Sequence, residues 1–123
     1  MGAPDPLLAG AKRAMGLADR VPEEERPWMP LGMAYALASA FLPAKKKEAL
    51  WGEVARCLQE EDYEALAKLA KEVAWEAFLR EGVGEFLLLA SFPEPRERRK
   101  PPNLLFIKGV AYGRECLARP LPP

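Results

Sequence analysis

The sequence predicts an all-α fold, a single compact bundle of five or six helices around a central apolar helix at 31–42, with one helical domain over 1–123. Three observations carry this expectation. The run LGMAYALASAFL (31–42) is apolar on every side, as a helix at the centre of a bundle must be. The stretches AKKKEALWGEVARCLQ (44–59) and DYEALAKLAKEVAWEAFLR (62–80) place apolar side chains at helical spacing. The 123 residues are 50% apolar and 29% charged, the size and balance of one globular domain that buries a core without disulfides.

The elements follow in order. Residues 7–20, LLAGAKRAMGLADR, hold Leu7, Leu8, Ala11, Ala14, Met15 and Ala18 at a spacing that suits one helical face. Asp5 and Pro6 stand where an N-cap and a first-turn proline belong, and Val21-Pro22 ends the helix. EEERPWMP (23–30) reads as a connection or a weak first turn, after which Pro30 opens the central helix. That helix has twelve residues before Pro43, where a membrane span needs about 20. Gly32, Ala36 and Ala40 recur every fourth residue, so another helix can approach closely there.

In 44–59, Leu50, Trp51, Val54, Cys57 and Leu58 share a face, and Gly52 off that face weakens the helix by about 1 kcal/mol against alanine. Residues 62–80 form the clearest helix. Tyr63, Leu66, Ala67, Leu69, Ala70, Val73, Ala74, Ala77 and Phe78 lie in its apolar half, while Glu64, Lys68, Lys71, Glu72 and Glu76 line the other. Trp75 lies among the charges, which makes it a candidate partner anchor or an edge contact to a neighbouring helix. NLLFIKGVAYGRECLAR (103–119) reads as a weak helix interrupted by Gly109 and Gly113. The minority alternative is an α+β fold, with FLLLA and LLFIK pairing as a short hairpin in 85–107.

Composition excludes much chemistry. The chain has no His and no Thr, two Ser, one Asn and one Gln, so no Ser-His or Cys-His pair and no imidazole metal ligand exists. An enzyme is not expected, nor a cofactor or metal. Few amides with abundant Glu, Arg, Lys and 13 Pro resemble the composition of a thermophile's protein. Two distant cysteines and no apolar leader at the N-terminus suit a reducing cytoplasm. The acidic cluster Glu60, Glu61, Asp62, Glu64 is read as capping of the next helix rather than a calcium loop, and Glu72 and Glu76 as a solvated face. Cys57 belongs on an apolar face, whereas Cys116 has Arg114 and Arg119 near it in sequence that could lower its pKa.

Net charge is zero but uneven. Seven basic and five acidic residues leave +2 over 1–47, four and eleven leave −7 over 48–94, and seven and two leave +5 over 96–119. Such asymmetry points to association, with a protein partner or with copies of the same chain. Two basic groups are candidates for an anion or nucleic-acid surface. Lys45, Lys46 and Lys47 fall at the positive end of a helix, unless that helix begins near Lys47 and they lie in a loop. Arg96, Arg98, Arg99 and Lys100 lie in FPEPRERRKPPN, where Glu94 and Glu97 cut the net charge to +2. A pI near 6.4 and the lack of any zinc-finger, phosphate-loop or RNA-binding signature place nucleic acid second to protein as partner.

The order AKRAMGLADRV (11–21), MPLGMAYALASAFL (29–42) and DYEALAKLAKEVAWEAFL (62–79) resembles the small helical subunits of type III CRISPR RNA-guided complexes. The resemblance spans residues 11–80 and implies an all-helical, non-enzymatic subunit that assembles along RNA. The chain departs from it in having no plainly basic face and no counterpart for 82–123, and no functional residue is carried across.

Overall fold

A computed structural model describes residues 6–18, 20–22, 25–26, 28–81 and 102–118. Among these the fold is all-α, with five helices: α1 (Pro6–Ala18), α2 (Trp28–Ser39), α3 (Ala44–Gln59), α4 (Tyr63–Glu81) and α5 (Pro102–Ala118). No strand occurs among the described residues.

Helix α2 is the hub because no face of it tolerates water. Every residue from Trp28 to Ala38 is buried. It packs on α5 most extensively, then on α4 and α1, while α3 leans on α4 at the periphery. The helix starts at Trp28, earlier than the expected opening at Pro30. Pro30 lies within the first turn, where a missing N–H removes no helical bond. It ends at Ser39, also earlier than expected. Residues 40–42 turn off through bonds from the Phe41 N–H to the Ala38 carbonyl (3.2 Å) and from the Leu42 N–H to the Ser39 carbonyl (3.0 Å). Pro43 then forbids continuation.

The α2–α5 contact corrects the reading of the last helix. Gly109 and Gly113 do not interrupt α5, which runs unbroken from Pro102 to Ala118. They let it touch α2. A Cβ added at Gly109 would collide with the Met29 carbonyl oxygen, and one at Gly32 with the Phe106 carbonyl oxygen. A Cβ at Gly113 would lie 2.8 Å from the Ala36 Cβ and 3.0 Å from the Met33 oxygen. The small residues Gly32 and Ala36 therefore do admit a helix, as their spacing predicts. The strand alternative fails for LLFIK, because Leu104–Lys108 are helical. FLLLA lies outside the described residues.

A tight joint links α3 to α4. The Asp62 N–H bonds the Cys57 carbonyl (2.9 Å) and the Glu61 N–H bonds the Leu58 carbonyl (3.4 Å), with Glu61 at φ 54°. This is the Schellman closure of a helix, in a position that favours glycine. Asp62 then caps α4, its Oδ1 accepting the Ala65 N–H at 3.2 Å. The acidic cluster thus supplies a cap, as expected. Replacing Glu61 by glycine relieves the left-handed conformation and should raise stability by about 0.5–1 kcal/mol. A urea midpoint at or below that of the parent chain would sink this expectation.

Two further ties leave no sign in the local sequence pattern. Glu25 is buried (5% exposed) in the segment read as a connection, and Lys108 Nζ of α5 lies 3.4 Å from its Oε1. The Arg114 guanidinium of α5 sits 5.4 Å from the Trp51 ring centroid of α3. Tyr35 of α2 stacks between layers, 6.2 Å from the Trp51 ring and 5.9 Å from that of Phe106. Burial pushes the Tyr35 phenol up from its ordinary value, against the lowering effect of Arg114. No helix among the described residues is long and apolar enough to cross a membrane.

Candidate functional site

Helix α4 turns Leu66, Ala70, Val73, Ala74 and Ala77 into the core. The 3.6-residue period then presents Glu64, Lys68, Lys71, Glu72, Trp75 and Leu79 outward, and all are exposed. Trp75 is 52% exposed and Leu79, one turn further on, is 65% exposed. The Trp75 ring lies 5.6 Å from that of Phe78, its only described aromatic neighbour on the same helix. Trp28 of α2 and Trp75 line one hollow, and half of the Trp75 surface stays exposed, so the edge-contact and partner-anchor readings both stand.

Beside Trp75 lies a hollow of about 720 Å³. Among the described residues, Trp28, Tyr63 and Ala67 supply its less exposed lining, and Trp75 with the four charges Glu64, Lys68, Lys71 and Glu72 supplies the exposed part. The Trp28 and Tyr63 rings meet edge-on at 5.6 Å, so the start of α2 and the start of α4 close one end together. The Trp28 indole N–H is buried and has no acceptor among the described residues. The hollow therefore combines aromatic surface with charges of both signs.

The first basic group stands differently. Helix α3 begins at Ala44, so Lys45, Lys46 and Lys47 occupy its first turn and the loop alternative is corrected. All three are exposed, and Pro43 offers no side-chain cap. Lys46 is engaged within the chain: its Nζ bonds Glu76 Oε1 of α4 at 2.7 Å, and Arg80 Nη2 lies 3.2 Å from the same oxygen. Glu76 is thus a helix-to-helix tie, not merely a solvated carboxylate. The Lys46 ammonium holds its carboxyl below the ordinary value. A depressed carboxyl stabilises above its unfolded pKa and loses that contribution as pH falls through the folded one. Lys46→Ala should therefore cost about 0.2–1 kcal/mol at neutral pH, the range for an exposed pair. The difference from the parent chain should vanish in acid, below the Glu76 titration. A deficit that persists unchanged there would show that the pair is not its source.

Arg96, Arg98, Arg99 and Lys100 lie outside the described residues. The cysteine reading is corrected at Cys116, which is buried among the core side chains, so flanking arginines do not make it an accessible nucleophile. Cys57 is buried as expected, and burial pushes its thiol up. No group of three or more metal-ligating side chains gathers among the described residues.

Fold and site together define an all-α bundle whose fourth helix carries an exposed aromatic face. Comparison with protein-family models, with curated proteins and with solved structures finds no match for this chain.

Proposed function

We propose that this chain is a non-enzymatic helical subunit or adaptor that works by assembling with protein through the outward face of α4. The observation that carries the reading is Trp75, half exposed beside Leu79 and a hollow of its own helix. Large exposed aromatics next to a recess are what interface hot spots are built from. The uneven charge along the chain supports association as well. The reading includes a reducing cytoplasm, which suits two buried cysteines, and a thermophile-like source, which suits the low amide content. In extracts of the native cell, the wild-type chain should retain a defined complex that the Trp75→Ala chain loses. Equal retention by both chains, or a wild-type chain that retains no protein and is monomeric at high concentration, would remove the assembly reading.

A second reading is direct nucleic-acid association, the class implied by the CRISPR small-subunit resemblance. It is favoured by Lys45 and Lys47, exposed at the uncapped, positive end of α3. Binding of this kind must weaken steeply with added salt. No binding to RNA or DNA at low salt would end it.

A further inference from the structure

The outward face of α4 carries a projection and a recess on one surface. Trp75 and Leu79 stand exposed on its C-terminal half, and the hollow follows the same helix from Tyr63 to Trp75, whose ring lines its far end. A two-fold axis lays a surface on its own image, so a self-docking patch must hold both a projection and the recess that receives it. Turning a second copy by a half-rotation about an axis across α4 makes the two helices antiparallel. The projecting end of each then reaches the recessed end of the other.

The charges fit the same operation. The face carries two glutamates, Glu64 and Glu72, and two lysines, Lys68 and Lys71, so it has no net charge. A strongly acidic or basic partner finds no complement there, whereas the face can complement itself. Seating Trp75 of one copy at the level of Lys68, near the middle of the hollow's lining on α4, sets the axis between Lys71 and Glu72. Each Lys71 then meets Glu72 of the second copy. Each Lys68 ammonium lies against the Trp75 ring of the second copy, an attractive cation–π arrangement.

We propose that the outward face of α4 is a two-fold docking surface for a second copy of this chain, with the helices antiparallel and each Trp75 seated in the other copy's hollow. The proposal rests on the assembly reading and names its partner. Its test is sedimentation equilibrium of the full chain across a concentration series. The wild-type chain should self-associate to a dimer, and Trp75→Ala should weaken that dimer about tenfold or more. Lys71→Glu should weaken it too, because two like-charged contacts arise by symmetry. The double variant Lys71→Glu/Glu72→Lys should restore it, since opposite signs face each other again. These are exposed positions, and circular dichroism verifies that each variant keeps its helices. A wild-type chain that stays monomeric throughout overturns the proposal, as does a dimer indifferent to Trp75→Ala. Failure of the double variant to recover overturns it as well. A monomer whose complex from the native extract still depends on Trp75 overturns the second copy alone and leaves the assembly reading standing.

Discussion

Gly109→Ala should destabilise the protein by about 3 kcal/mol or more, at or above the upper end of the usual overpacking cost. The reason is what the new methyl meets. It would fall on the Met29 carbonyl oxygen, with the Met33 amide nitrogen 3.0 Å away. Both are backbone atoms of a helix, so no rotamer change makes room. The two helices must separate, and the core residues between them separate too. Gly32→Ala acts on the other side of the same gap, so the two losses should not add. Gly52→Ala is the control. Nothing lies within 4 Å of a Cβ there, and the residue is exposed inside α3. The same substitution at Gly52 should therefore gain about 0.5–1 kcal/mol from helix propensity alone. Urea denaturation of the three variants decides the matter. Equal shifts for Gly52 and Gly109 would mean that the α2–α5 contact is looser than described.

Phe106→Ala is the second large effect, with an expected loss of about 3–5 kcal/mol. Phe106 is among the largest fully buried side chains, and its ring lies 5.9 Å from that of Tyr35. Its backbone oxygen is also the atom that Gly32 accommodates. A cavity at this place cannot collapse readily, because glycine contacts already hold the flanking backbones at their closest approach. Phe106→Leu refills part of the volume and should cost distinctly less. A loss below about 1.5 kcal/mol for the alanine variant, the tolerance of a volume-conserving swap, would contradict a rigid core at this point.

Physically, the helices are legible wherever burial and periodicity agree. The apolar run at 31–42 announces a central helix, and α2 is buried from Trp28 to Ala38. The split of α4 into an apolar and a charged half is equally plain, and periodicity alone places Trp75 on the charged side, where the fold leaves it exposed. Reading fails where one residue has two opposite uses. Glycine in a helix costs propensity, so Gly109 and Gly113 read as breaks. Their packing against α2 outweighs that cost, and packing partners distant in sequence leave no local trace. Glu25 and Arg114 escape notice for the same reason, since the groups they meet lie on helices far along the chain. At the candidate site, Trp75 is visible in the sequence, but the hollow beside it is not. It requires Trp28 of α2 to meet Tyr63 of α4.

By itself, the sequence determined the all-α class, the buried hub, the outward face of α4 and the poverty in catalytic side chains, because these follow from residue type and from the 3.6-residue period. The tertiary structure alone decided that glycines join α2 to α5, that Lys46 answers to Glu76, and that Trp75 borders a recess. Each of these is a distance between helices, and such distances are set by how side chains of different elements fill space together, which no period along one helix encodes.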